Sequence, residues 1–329
     1  MSADRLSFAL ASGGLDLPES GSIALIGAPG DVALDGLDPS RIDVIQTCFP
    51  DHAAWLRRGV TARTSPEGPY AAAIVTLPRA RDLAEDRIAR ASALTPGGLV
   101  VVNGAKTDGI EALAKALRSR VTIQGQVSKA HGKCLWFDGG TDLSDWFREP
   151  ARLSSGDLTA PGIFSADGPD PASQALAAAL PVNLKGRFAD LGAGWGWLSR
   201  QILGHDSITE LHLVEAEKAA LDCARENVSD PRARFHWADA TDWTVSPTLD
   251  GVIMNPPFHQ GRKADPDLGR AFIASAARLL APHGRLWLVA NRHLPYEAAL
   301  ADSFRESSEI GGDNRFKILH AARPTRQRR

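Results

Sequence analysis

Four stretches in the first half of the chain recur, in the same order, in the second half. "SIALIGAPG" (22–30) is echoed by "RFADLGAGWG" (187–196), and "RIDVIQT" (41–47) by "ELHLVEA" (210–216). "YAAAIVTLPRAR" (70–81) is echoed by "DGVIMNPPFHQG" (250–261), and "RIARASALTPGGLVVVNG" (87–104) by "AFIASAARLLAPHGRLWLVAN" (271–291). Self-similarity of this kind constrains a fold more than any local propensity, because whatever one half adopts the other must adopt as well. With 329 residues the chain is long enough for two domains, each burying its own core. The expected division is residues 1–150 and 151–329. The Gly-, Ser-, Asp- and Pro-rich segment 136–162, "WFDGGTDLSDWFREPARLSSGDLTAPG", is expected to connect them.

The second half shows the rhythm most clearly. Short apolar runs at 187–193, 210–216, 233–239, 250–255 and 284–291 read as strands, and the segments 197–204, 218–228 and 268–280 between them read as helices. In the last helix Phe272, Ala276, Leu279 and Leu280 recur at helical spacing, and Pro282 and Gly284 stop it. "RESSEIGG" and "RFKILHAARP" read as a closing hairpin. Strands alternating with helices predict an α/β, doubly wound sheet.

The two copies differ where chemistry would sit. Asp190 corresponds to Leu25, Glu215 to Gln46, and Asn255-Pro256-Pro257-Phe258 to Thr76-Leu77-Pro78-Arg79. The first copy is therefore expected to be degenerate, without the chemistry of the second.

"DLGAGWGWLS" (190–199) sets an acid at a strand tip and then glycines before a helix. The turn Gly192-Ala193-Gly194 lets backbone approach a ligand closely, and the helix start adds oriented N–H groups. A dinucleotide loop would place its third glycine one residue later and would not need the acid, so Asp190 favours a ligand with a cationic amino group, S-adenosylmethionine over NAD. Glu215, with Ala216 beside it, ends the next strand, where a carboxylate can accept both ribose hydroxyls. Asp239, followed by Ala240, ends the third, where it meets an adenine amino group or is simply a turn aspartate. These acids converge on one crevice beyond the sheet's carboxyl edge.

The fourth strand delivers Asn255 and two prolines to that edge. A planar exocyclic amine is a poor nucleophile, because its lone pair is delocalised into the ring. The Asn255 side-chain oxygen and the Pro256 carbonyl, held in place by proline, can accept its N–H groups and turn it toward an incoming methyl. Phe258 offers a face for a base to stack on. His259 is a base or a structural, substrate-contacting residue.

Together these residues resemble the bacterial ribosomal RNA guanine-N2 methyltransferases of the small subunit. The resemblance is carried by "GIFSADGPDPASQALAAAL" (162–180), "FADLGAGWGWLS" (188–199), "MNPPFHQGR" (254–262), "VANRHLPYEAAL" (289–300) and "RFKILHAARP" (315–324). It implies two tandem Rossmann-like class I methyltransferase domains, each a seven-stranded, mostly parallel sheet with helices on both faces, of which only the second binds S-adenosylmethionine. It assigns the cofactor to Asp190, Gly192, Gly194 and Glu215, the target amine to Asn255 through Phe258, and a covering role to Phe164, Ser173 and Gln174. The chain departs from the family pattern at Ala172, where the family often has Gly, and in carrying Trp195 and Trp197 in the glycine loop. The partner implied is 16S ribosomal RNA or the small subunit. NPPF also occurs in methyltransferases acting on adenine N6 or protein glutamine. Those acceptors, 23S guanine N2, a small-molecule amine and a non-catalytic RNA-binding role in ribosome assembly are the alternatives.

Composition narrows the class further. Hydrophobic residues make up 43% and charged residues 23%, with a net charge of −2, as in an ordinary globular protein without a global pull toward polyanions. RNA contact must come from local patches, of which the tail "RPTRQRR" is one, either as an RNA-touching arm or as a solvated end. Cys48, Cys134 and Cys223 are isolated, so neither a disulfide framework nor a metal site is expected. With no apolar run of membrane-spanning length and no leader-like start, a cytoplasmic monomer is expected.

Overall fold

The computed structural model describes residues 5–257, 259–260, 263–264 and 266–325. They group into two compact units, Met1–Pro150 and Ala151–Arg329, each built on one seven-stranded sheet.

The first unit runs α1 (Arg5–Ser12), β1 (Ile23–Ile26), β2 (Ile42–Ile45), α2 (Phe49–Arg57), β3 (Thr61–Arg63), β4 (Ala72–Thr76), α3 (Arg81–Leu94), β5 (Leu99–Ala105), α4 (Ile110–Arg118), β6 (Gly125–Lys129) and β7 (Gly132–Asp138). Its strand order is β3-β2-β1-β4-β5-β7-β6, parallel as far as β5 and antiparallel beyond it. Runs such as Ile23–Ile26 are apolar throughout because both faces of the sheet are covered. Ala24 and Ile26 join Ile88 and Leu113 of α3 and α4 on one face, while Ile23 and Leu25 join Leu6 and Trp55 of α1 and α2 on the other.

The second unit begins with a short ribbon, β8 (Ala151–Arg152) and β9 (Leu158–Thr159), and continues α5 (Pro171–Ala179), β10 (Gly186–Leu191), α6 (Trp197–Leu203), β11 (Ile208–Glu215), α7 (Lys218–Asn227), β12 (Ala233–Trp237) and β13 (Leu249–Met254). Then come β14 (His259–Gln260), β15 (Lys263–Ala264), α8 (Pro266–Leu279), β16 (Leu280–Asn291), α9 (Glu297–Ser303), β17 (Phe304–Gly312) and β18 (Phe316–Pro324). Its sheet order, β12-β11-β10-β13-β16-β18-β17, repeats that of the first unit strand for strand. The registers agree as well. Leu25 lies between Val44 and Ile74, and Asp190 lies between Leu213 and Ile253. Gly27 N–H donates to the Ile45 carbonyl at 2.8 Å, and Gly192 N–H donates to the Val214 carbonyl at the same distance.

The strands expected in the second half all form within a few residues of their expected bounds, and the closing hairpin is β17 and β18. The segment 136–162 departs from its expected role as a connection. Trp136 and Phe137 belong to β7 and are buried, and Trp146 is buried against the first core. Polar neighbours masked these aromatic side chains, each of which buries enough apolar surface to order its surroundings. Arg323 also departs from the expected tail, since it lies in β18 and pairs with Glu306 at 2.9 Å. Arg326, Arg328 and Arg329 lie outside the described residues. Cys134 and Cys223 are buried, and Cys48 is half-buried. No helix among the described residues is long and apolar enough to cross a membrane.

Candidate active site

The parallel strands β10, β11 and β13 end side by side, and the chain turns there into the segments the sequence marks as chemical. After β10 the backbone enters the left-handed region at Gly192 (φ 79°) and Gly194 (φ 55°), which only glycine adopts without strain. A side chain at Gly194 would meet nothing within 4 Å, and one at Gly192 would approach only Phe272, the Asn255 carbonyl and Pro257 at 3.7–4.0 Å. Gly194 therefore faces open space and Gly192 is not crowded, as a ligand cradle requires. The third, Gly196, serves packing, because a Cβ there would lie 2.7 Å from Val228 of the segment after α7.

Asp190 is 1% exposed. Its Oδ2 accepts a 2.7 Å bond from the Ser199 hydroxyl of α6, while Oδ1 is buried without a hydrogen-bond partner. Burial pushes its carboxyl up to about 7; the Ser199 bond opposes the rise and the nearby Glu215 charge adds to it. An acceptor held dry at the foot of a glycine cradle suits a cationic group.

Glu215 is expected to meet a ribose, and here it first braces the loop. Its Oε2 accepts from Gly194 N–H and its Oε1 from Glu217 N–H, both at 2.8 Å. Each carboxylate oxygen has a second lone pair, so ribose binding remains open to it. Burial raises its carboxyl above the ordinary range, against those backbone bonds. The Ala216 carbonyl accepts from the Trp237 indole at 2.8 Å, which ties β12 to the crevice. Asp239 closes its own turn, with Oδ1 accepting from Thr241 N–H at 2.8 Å and from the Thr241 hydroxyl at 2.6 Å. Ala240 is buried, and its carbonyl accepts from Ser275 of α8.

Asn255 directly follows β13, whose Ile253 and Met254 pair with Asp190 and Leu191. Its Nδ2 donates to Asp170 Oδ2 and to Ser173 Oγ, each at 2.9 Å. Pro256 is buried and Pro257 exposed. Phe258 lies outside the described residues, and His259 pairs through the backbone with Ala264 in the β14–β15 ribbon. Phe164 is 58% exposed and lines the crevice with Ser173, Ala193 and Asn255. Gln174 is also expected to help cover the pocket. It sits outside that lining, exposed, and its amide donates to the Pro169 carbonyl at 2.8 Å. Trp195 is buried, and its indole donates to the Ser165 carbonyl at 3.1 Å, holding the Phe164 segment against the glycine loop.

Neither Asp170 nor Ser199 stands out in the sequence as a site residue. The signal for Asp170 was present, because Asp before Pro is a helix-start signature. Its carboxylate caps α5 by accepting from Ser173 N–H at 2.8 Å.

The enclosed part of this crevice is small, about 50 Å³. Larger clefts lie elsewhere: about 990 Å³ beside α1 and the starts of β1 and β5, and about 680 Å³ at the amino edge of the second sheet. Size does not identify the site here, since of these clefts the small crevice is the one lined by Gly192, Gly194 and Asn255. Among the described residues no cluster of three or more His, Cys, Asp or Glu could hold a metal ion.

A doubly wound sheet with a glycine turn and acids at its strand tips, followed by Asn-Pro-Pro, defines a methyltransferase. Residues 157–320 match the family model described as "Methyltransferase small domain". A curated protein of Acinetobacter baumannii, "Ribosomal RNA small subunit methyltransferase C", is 30% identical over 324 residues, covering 92% of this chain and 95% of its own. Its namesake from Hahella chejuensis is 28% identical with the same coverage. The chain belongs to the family of ribosomal RNA small subunit methyltransferase C. Its fold matches the T. thermophilus 16S rRNA N2 G1207 methyltransferase in complex with AdoMet and guanosine, with a TM-score of 0.78 at 23% identity, covering 98% of this chain and 92% of that one.

Proposed function

We propose that the second unit transfers a methyl group from S-adenosylmethionine to the exocyclic N2 of a guanine in 16S ribosomal RNA, and that the first unit holds RNA or supports the active unit. The observation that carries this reading is the register of β13 against β10, together with the closeness of the Asn255 backbone carbonyl and Pro257 to the Gly192 turn. The amine-accepting groups and the cofactor cradle thus share one edge.

When bound, S-adenosylmethionine supplies a methyl activated by its sulfonium. Asp190 would answer its ammonium, the Gly192 and Gly194 backbone would admit it, and Glu215 would hold its ribose. Asn255 Oδ1 and the Pro256 carbonyl accept the two amine hydrogens, which turns the nitrogen lone pair out of conjugation with the ring. The nitrogen sheds one proton to solvent after transfer, when it is acidic enough to need no dedicated base. The residues' work is therefore positioning. The name and bound ligands of the T. thermophilus neighbour support the choice of cofactor and acceptor.

Labelled S-adenosylmethionine offered with separate pools of unmodified ribosomal RNA, DNA and protein should label the small-subunit RNA alone, at a guanine N2. Label in adenine, in DNA or in protein would overturn the acceptor. Asn255→Ala should abolish transfer while cofactor affinity changes little. Loss of both together would mean that Asn255 shapes the cofactor crevice and does not act on the amine alone.

A further inference from the structure

Asn255 can serve the amine only if the correct end of its amide faces it. The two ends of a primary amide have nearly the same shape and opposite chemistry, one donating twice and the other accepting. A flipped Asn255 would present N–H groups to an amine that itself donates, and the contact would become repulsive. Something must decide the orientation.

We infer that Asp170 is the positioning residue that fixes the Asn255 amide, with Ser173 as its assistant. Asp170 Oδ2 lies 2.9 Å from Asn255 Nδ2, and Ser173 Oγ lies at the same distance. An ionised carboxylate only accepts hydrogen bonds, so it tolerates the NH2 end and rejects the carbonyl end. With one amide hydrogen given to Asp170 and the other to Ser173, Oδ1 is the end left for substrate. Asp170 precedes Asn255 by 85 residues, and the contact therefore exists only in the folded unit. Asp170 is itself held in place. It is the N-cap of α5, at φ −65° and ψ 132°, with Pro171 fixing the next residue, and the oxygen that accepts from Asn255 also accepts from Ser173 N–H at 2.8 Å. Helix α5 is thus anchored to the strand end that carries the reacting contact.

This inference rests on the reading that Asn255 Oδ1 accepts from the target amine, and the variants separate the two. Serine caps a helix about as well as aspartate, so Asp170→Ser keeps the cap, but its shorter hydroxyl both donates and accepts and no longer dictates which end of the Asn255 amide faces it. The expected result is a fall in kcat of about 10- to 100-fold on unmodified 16S RNA. The melting temperature and the dissociation constant for S-adenosylmethionine, measured calorimetrically on the full chain, should stay near wild type. The pair D170S/N255D lets the serine hydroxyl donate to a carboxylate at position 255, with the other carboxylate oxygen left toward substrate. It should be at least about tenfold more active than N255D alone, in which two carboxylates oppose one another. Wild-type kcat in Asp170→Ser with Asn255→Ala inactive would show that Asp170 is a helix cap only and overturn the inference. So would a loss of activity matched by equal losses of melting temperature and cofactor affinity. Full activity in Asn255→Ala would instead sink the reading beneath it.

Discussion

In the proposed reading, Asp190 has to remain in the fold without a cofactor and still attract a cation. Its buried Oδ1 has no partner, and burial raises its carboxyl from 3.8 to about 7. The folded protein therefore holds this proton more tightly than the unfolded chain does. The resulting stabilisation is fully present below about pH 4 and is lost as pH rises through 7. Asp190→Asn, which keeps a partner for Ser199 and carries no charge, should be free of this dependence. The difference in melting temperature, wild type minus Asp190→Asn, should fall as pH rises from 4 to 7 in the cofactor-free protein; a flat difference would mean the carboxyl titrates normally. A bound ammonium favours the ionised form, so cofactor binding near pH 6 should release a proton. Calorimetry in buffers of different ionisation enthalpy measures that release directly. The carboxylate itself was legible in the sequence as an acid at a strand tip. Its dryness was not, because that depends on how α6 brings Ser199 over it.

At the scale of elements, the strands were legible because the central parallel strands, covered on both faces, carry short apolar runs such as Ile23–Ile26 and 252–254 bounded by glycine, proline or polar residues. Helix α5 was not assigned from the sequence, since "PASQALAAA" has little apolar patterning of its own, and its meaning comes from the contact between Asp170 and Asn255. Packing between elements was equally hidden at Gly251 in β13. A Cβ there would lie 2.2 Å from the Phe188 ring on the neighbouring β10. That ring is 2% exposed and stacks on Trp287 of β16 with centroids 6.0 Å apart, so it has nowhere to retreat. Gly251→Ala should cost about 1–3 kcal/mol of stability from overpacking, read as a lower urea midpoint for the second unit. An unchanged midpoint would mean that the two strands separate more easily than this packing implies.

At the scale of the whole molecule, the two units share strand order, register and the hydrogen bond that starts the glycine turn, so any difference in chemistry between them must lie in side chains. Leu25 stands where Asp190 stands in the second copy. The Gln46 amide, in the place of Glu215, donates to the Ala28 carbonyl at 2.9 Å, and the Trp55 indole donates to the same oxygen at 3.0 Å. Over Gly27, the counterpart of Gly192, lies the Arg87 guanidinium, so close that a Cβ there would be 2.3 Å from it. The crevice that is open above Gly192 is filled above Gly27, and a cationic side chain fills it. A ligand entering there would find the space over the glycine turn already occupied. The duplicated order was legible because an internal repeat keeps its apolar rhythm when its polar residues change. The plug was not, because Arg87 reaches Gly27 from α3 across a separation that no local pattern marks. Titration of the full chain with S-adenosylmethionine should therefore give one site per chain. Asp190→Ala should remove that binding without leaving a weaker second phase. Two sites, or residual saturable binding in Asp190→Ala, would mean that Arg87 moves aside and that the first unit kept the cofactor after losing the acids that define its place.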